Sequence, residues 1–327
     1  MSRILITGGA GFIGGYLAEA CAASGHRVTI ADNFARGVRD PFLAELEKRG
    51  VEITQMDLLE QEWALPDDFE IVVHFAAIIG VRHVLERPYS VLRDNVALTD
   101  RAISFGRRQK KLTRFLFAST SEVMAGSLIH LNMPLPTPED FPLALTDLAQ
   151  PRTSYMLSKI YGEAMCQHSG IPFTIIRPHN IYGPRMGLSH VVPELLKKSY
   201  EKRDGEDLAI ASADHSRAMC YISDAVQLIQ RLLFADAASG GTFNIGNSET
   251  EVTIGDLARI IVSATGRKLN LIAEPAVAGS PSRRCPDMSK TIRVTGYTPS
   301  VGVEQGVRLT FDWYKQNVFA ASGVSAL

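Results

Sequence analysis

The chain has 327 residues, 46% of them hydrophobic and 21% charged, enough for one large α/β unit or two interleaved subdomains around a substantial core. Its 34 Lys and Arg nearly balance 35 Asp and Glu, so there is no broad field to attract nucleic acid or an acidic membrane. No apolar run is long enough to span a bilayer, and the opening "MSRILITGG" has the pattern of a strand entering a turn, not of a signal peptide.

In chain order, strand-like apolar runs are "ILIT" (4–7), "VTIAD" (28–32), "VEITQMD" (51–57), "IVVHFAA" (71–77), "RFLFAST" (114–120) and "FTIIRP" (173–178). Helix-like segments at 12–24, 88–108 and 152–168 lie between most of them. Near-continuous apolar strands alternating with helices predict a doubly wound, Rossmann-like parallel sheet covered on both faces, an α/β fold. After 179 the rhythm changes. Residues 191–203, 253–266 and 303–316 have helical patterns, "TFNIG" is a short strand, and 275–300 is rich in Pro, Gly, Ser and Arg. The expected organisation is a dinucleotide-binding domain of 1–178 plus about 217–247. A smaller interleaved C-terminal α/β substrate subdomain would comprise 179–216 and 248–316, followed by a loose tail, 317–327.

Gly8, Gly11 and Gly14 form G-x-x-G-x-x-G between the first strand and the first helix. The first glycine permits a tight turn, the second lets backbone approach a pyrophosphate, and the third lets the helix pack on the sheet. The free N–H groups of the helix start, at Phe12 and Ile13, complete an anion site. Asp32 ends the second strand about twenty residues on, where a carboxylate accepts hydrogen bonds from ribose hydroxyls, with Asn33 beside it. A carboxylate there repels a 2′-phosphate, so NAD is the expected cofactor, although Arg36 could accommodate such a phosphate.

Tyr155 and Lys159 are four apart in "SYMLSKIYGEA", which places both side chains on one helix face. An ammonium group, together with a positively charged nicotinamide, would lower the phenol pKa and let it accept a proton from a substrate hydroxyl. Thr120 could hold the same oxygen. The four cysteines, Cys21, Cys166, Cys220 and Cys285, show no C-x-x-C spacing and suggest reduced thiols in a cytoplasm rather than zinc or disulfides. His74, His83, His179 and His190 are scattered without carboxylate partners, so no metal is expected.

The glycine turn, Asp32, "HFAA" (74–77), "STSE" (119–122), Tyr155/Lys159 and "RPHNIYGPRMG" (177–187) occur in one order. This order resembles the extended short-chain dehydrogenase/reductases, in the nucleotide-sugar epimerase, dehydratase and decarboxylase branch, from Ile4 to about Tyr314. The resemblance implies a catalytic set of Thr120, Tyr155 and Lys159. It places Asp57 and Leu58 at the adenine, Ala76 and Ala77 along the dinucleotide, the segment from Arg177-Pro178 near nicotinamide, and Asn180 at the sugar diphosphate. Arg217 in "HSRAMCYISDA" and Arg283 in "GSPSRRCPDMSK" become candidate phosphate ligands, and Ser121 would shape the sugar pocket. It further implies a homodimer built from helices 88–108 and 152–168.

Glu122 distinguishes among reactions that share a C4-keto sugar. Such a ketone acidifies C5–H and makes a C6 carboxylate a leaving group as CO2. Dehydratases of this branch use a Glu base and commonly an Asp before it, where this chain has Ser121. UDP-glucuronate decarboxylases carry a similar Ser-Thr-Ser-Glu, and simple 4-epimerases usually lack the glutamate. UDP-glucuronate decarboxylation is therefore the favoured expectation, ahead of 4-epimerisation and then dehydration. Met124 and Ala125 replace the family's Tyr-Gly and leave the sugar pocket's shape open. Two other classes stay open, an ordinary NAD(P)-dependent reductase and a non-catalytic NAD-binding scaffold or sensor.

Overall fold

The computed structural model describes residues 1–60, 62–276 and 281–320. Its strands are β1 (Arg3–Thr7), β2 (Arg27–Asp32), β3 (Glu52–Gln55), β4 (Ile71–His74), β5 (Arg114–Ala118), β6 (Phe173–Pro178), β7 (Ile181–Tyr182), β8 (Asp207–Ala211), β9 (Ser216–Ala218), β10 (Cys220–Tyr221), β11 (Gly241–Ile245), β12 (Glu251–Thr253), β13 (Asn270–Glu274) and β14 (Arg283–Arg284). The helices are α1 (Phe12–Ala23), α2 (Pro41–Lys48), α3 (Val81–Glu86), α4 (Pro88–Arg108), α5 (Ala125–His130), α6 (Pro151–Gln167), α7 (Val191–Glu201), α8 (Ile222–Phe234), α9 (Ile254–Thr265), α10 (Ser289–Thr295) and α11 (Val303–Tyr314).

Seven strands form one sheet in the order β11-β6-β5-β4-β1-β2-β3, parallel throughout. Alternate residues of each strand enter opposite cores. Ile4, Ile6, Val73, Leu116 and Ile176 join one with α1 and α8. Leu5, Val72, Phe115, Phe117 and Ile175 join the other, with Leu98 and Phe105 of α4 and Cys166 of α6. This two-residue period, buried on both sides, is why the strands look apolar throughout. Strand order reverses at the β1/β4 junction, so the crevice beyond their C-terminal ends is the site the topology creates.

Three small sheets accompany it: β10-β7, β12-β9-β14 and β13-β8. The expected strands are all present, but β3, β4 and β5 end two or three residues earlier than expected, and Asp57, Phe75, Ala76, Ala77, Ser119 and Thr120 beyond them line the crevice. Segment 275–300, rich in Pro, Gly, Ser and Arg, holds β14 and α10. Helix α2 was not anticipated. Asp40 caps it by accepting from the Leu43 N–H at 3.0 Å, with Pro41 at its first turn. Of the expected tail, 317–319 continue the turn after α11, and 321–327 lie outside the described residues. Among the described residues, no helix is long and apolar enough to cross a membrane, and no three His, Cys, Asp or Glu side chains gather as a metal ion requires.

Candidate active site

A cleft of about 750 Å³ opens at the sheet's switch point. Gly8, Gly11, Phe12, Ile13 and Gly14 line it, as do Asp32, Asn33, Asp57, Leu58, Ala76 and Ala77. At the other end stand Thr120, Ser121, Glu122, Tyr155, Lys159, Pro178 and Asn180. Arg217 and Arg283 do not line it.

The glycine turn fits a dinucleotide. Gly8 has φ +70°, and a Cβ there would come within 2.6 Å of the Ala76 nitrogen. A Cβ on Gly14 would meet the Gly8 oxygen at 2.7 Å. These two glycines are demanded by packing of the turn against β4 and α1. Gly11 is different, for its missing Cβ would meet only the Gly8 oxygen, at 3.2 Å, and its bare backbone faces the cleft beside the unpaired N–H groups of the helix start. Asp32 accepts from Ala10 N–H at 3.0 Å through Oδ2 and from Phe34 N–H at 2.8 Å through Oδ1. Each oxygen keeps a further lone pair for a ribose hydroxyl. Burial raises the Asp32 pKa, outweighing both N–H bonds. Arg36 does not sit beside Asp32 to receive a 2′-phosphate. Its Nη2 lies across the cleft, 3.9 Å from where a Cβ on Gly187 would be.

The chemical end is built on β5 and α6. Lys159 is buried and donates from Nζ to the Ala118 carbonyl at 2.8 Å, with Nζ 5.9 Å from the Tyr155 ring centre. Burial lowers its pKa to about 8, against the pull of Cys166 and Glu163. Behind it, Glu163 accepts from Ser119 Oγ at 2.5 Å and takes a bidentate pair from Arg177 at 2.9 and 2.7 Å. Of the segment expected near nicotinamide, Pro178 lines the cleft, while Arg177 points into the protein toward Glu163.

The acidic phenol was expected from Lys159 acting together with a bound nicotinamide, and the chain's own groups by themselves do not produce it. Among the chain's own groups, burial dominates and raises the Tyr155 pKa, and Glu122 raises it further. Arg36 and a hydrogen bond from the Thr120 hydroxyl oppose this without prevailing. Lys159 gives one of its three N–H donors to the Ala118 carbonyl, and burial weakens it as a cation.

Glu122 accepts from Arg284 Nη1 at 3.1 Å. This arginine was missed in favour of its neighbour. In β14, Arg283 pairs with Ser216 and Arg284 with Arg217 of β9. Arg283 therefore shares a face with Ser216 and makes a bidentate pair with Glu251 at 2.7 and 2.9 Å. Arg284 and Arg217 share the opposite face. Burial, then Arg284, lower the Arg217 pKa to about 10, and Arg217 Nη1 donates to the Ser216 and Ser282 carbonyls. Strand alternation puts neighbouring arginines on opposite faces, but nothing in "RR" itself says which of them meets the cleft. Asn180, at φ +40°, donates one amide N–H to the Ala218 carbonyl at 3.1 Å, which leaves its second N–H and its side-chain oxygen for a ligand. Met124 is not a cleft residue. It is 1% exposed, in a satellite core with Val123 and Met133, so exchanging an aromatic ring for a thioether there alters packing behind the site.

The NAD dependent epimerase/dehydratase family profile matches residues 4–246. A UDP-N-acetyl-alpha-D-glucosaminuronate decarboxylase from Bacillus cytotoxicus is 31% identical, over 96% of this chain and 98% of that protein. Among solved structures, an NAD-dependent NDP-hexosamine 5,6-dehydratase of tunicamycin biosynthesis, TunA, superposes with TM-score 0.82 at 27% identity, covering 98% of this chain and all of the other. UDP-glucuronic acid 4-epimerase from Bacillus cereus, in complex with UDP-glucuronic acid and NAD, superposes with TM-score 0.78 at 26% identity, covering 96% and 99%.

Proposed function

This chain belongs to the NAD-dependent epimerase/dehydratase family, and from that premise we propose that it decarboxylates a UDP-hexuronate, UDP-glucuronate or a close relative, through a C4-keto sugar. The observation that carries this reading is the Glu122–Arg284 pair beside Tyr155. A guanidinium at that end of the cleft matches a sugar that bears a carboxylate, since planar bidentate pairing is what arginine does best. Similarity over the full chain to a decarboxylase of a UDP-uronate supports it.

When bound, NAD would supply a positive nicotinamide that favours phenolate and would serve as the acceptor of the C4 hydride. Tyr155 Oη removes the C4 hydroxyl proton, held in place by the Thr120 hydroxyl. Lys159 fixes the end of β5 through Ala118 and keeps a positive charge near the ring. The resulting ketone is β to the C6 carboxylate. The C5–C6 bond breaks, CO2 leaves, and the electron pair passes into the ketone as an enolate. A proton returned to C5 from the Glu122 side of the cleft would restore the ketone, and Tyr155 would then give back the hydroxyl proton as C4 regained its hydride. Asn180, which lines the cleft, holds the diphosphate end. Two copies pair through α4 and α6, where Tyr89 and Tyr161 stand exposed, and the enzyme works in the cytoplasm.

One rival keeps the same first step. A 4-epimerase of a UDP-uronate would also use Arg284 for the carboxylate, and the structural likeness to such an enzyme favours it next. Incubating the purified protein with UDP-, GDP-, dTDP- and CDP-sugars, UDP-glucuronate and its N-acetylated 2-amino analogue included, separates the outcomes by product mass. Loss of CO2 from a UDP-hexuronate is expected. Unchanged mass with inverted C4 makes it an epimerase, and loss of water makes it a dehydratase.

A further inference from the structure

Segment 33–40 lies over the cleft. Gly37 rests on the glycine turn, where a Cβ would meet the Ala10 Cβ at 2.7 Å. Asp40, at the segment's end, is tied to the opposite wall by Arg185, whose Nε donates to Oδ2 at 2.7 Å with the two side chains 5% and 14% exposed. Arg185 also stacks on Phe42, 4.3 Å from its ring centre. Between these anchors the Arg36 side chain crosses to Gly187. It makes no hydrogen bond or ion pair with a described residue, though its charge reaches Tyr155 on one side and His190 on the other. A guanidinium is thus suspended over the cleft by a loop fixed at both ends, and its fork has no partner among the described residues.

We propose that Arg36 is a diphosphate clamp, closing over the cleft on the pyrophosphate linkage of a nucleotide ligand. The groups beneath it suit that chemistry. The start of α1 offers N–H groups to one diphosphate, and Asn180 lines the cleft on the side of a second. A fork with several donors bridges neighbouring phosphoryl oxygens in a way that a neutral residue at this position cannot. The two sources, the dinucleotide and the nucleotide-sugar, share this linkage. Assignment to the second rests on the function proposed above, and assignment to the first does not.

The test uses the whole chain with Arg36→Ala and Arg36→Lys. Calorimetric titration compares UDP with uridine and NAD with adenosine, so the readout needs no turnover. Arg36→Ala should weaken UDP or NAD by about 10- to 100-fold, the range of charge-assisted hydrogen bonds, and leave uridine and adenosine unchanged. Arg36→Lys should recover part of the loss. Weakening of UDP alone assigns the clamp to the substrate, and weakening of NAD alone assigns it to the cofactor. Unchanged affinity for both, or equal weakening of the nucleosides, overturns the proposal, as does a change confined to the NAD-against-NADP preference. If the unaltered protein binds NAD but not UDP, the nucleotide-sugar reading fails while the NAD arm still tests Arg36.

Discussion

At the scale of single residues, the site opposes its own chemistry until ligands arrive. Burial of Tyr155 and the neighbouring Glu122 both favour neutral phenol. Replacing Tyr155 with Phe should leave NAD binding intact and lower turnover by about 10²- to 10⁴-fold, the usual worth of a general base. A non-catalytic scaffold would show no such loss. Glu122 gives a signed prediction. Its charge raises the phenol pKa, so Glu122→Gln should lower it, phenolate should form at lower pH, and the acid limb of C4 oxidation should move down. The burst of reduced cofactor in a single turnover reads that step before any decarboxylation. An acid limb that stays put or moves up would show that Glu122 does not act on Tyr155.

Elements explain why some positions were legible in the sequence and others were not. The glycine turn was legible because its residues obey local sterics. Gly8 holds a left-handed φ and has backbone where a side chain would go. Gly8→Ala should cost about 2–5 kcal/mol, combining left-handed strain with overpacking, and should abolish NAD retention. Gly25 is the control, since it shares a positive φ of +81° but has nothing within 4 Å of its missing Cβ. Gly25→Ala should cost only about 1–2 kcal/mol, both values read from denaturant melts. The choice between Arg283 and Arg284 was not legible, because a two-residue strand carries too little pattern to show its register. Only pairing with β9 decides which arginine faces the cleft. Arg284→Ala should therefore lose most activity on a uronate. Arg283→Ala, which breaks an ion pair whose arginine side chain is 48% exposed, should cost at most about 1 kcal/mol and little activity. Arg36 escaped for a related reason. Its position in sequence beside Asp32 suggested a 2′-phosphate, while the loop that carries it across the cleft is fixed by Arg185, distant in the chain.

Across the whole molecule, the catalytic wall is held from behind by one buried polar network. Glu163 on α6 joins Ser119 after β5 to Arg177 on β6. Arg177 Nη1 continues to the Glu139 carbonyl at 3.0 Å, and the Glu139 side chain accepts from Asn244 N–H on β11 at 3.0 Å. Three adjacent sheet strands and the helix bearing Tyr155 and Lys159 are thus registered by one carboxylate–guanidinium pair, 4% and 10% exposed at its side chains. Breaking such a pair leaves a buried charge unmatched, so Glu163→Gln should destabilise by about 3–5 kcal/mol. Arg177→Met should do so similarly. Since each single change orphans the partner and the double change orphans neither ion, Glu163→Met with Arg177→Met should cost clearly less than the sum of the two Met singles. The same cycle also reports on function, because Glu163 helps keep Lys159 charged against burial. Glu163→Gln should push the lysine pKa lower still and narrow the pH range of activity from its alkaline side, as Lys159 loses its proton sooner. Strictly additive stabilities with an unmoved alkaline limb would mean that the network fastens the strands without governing the charge at the site.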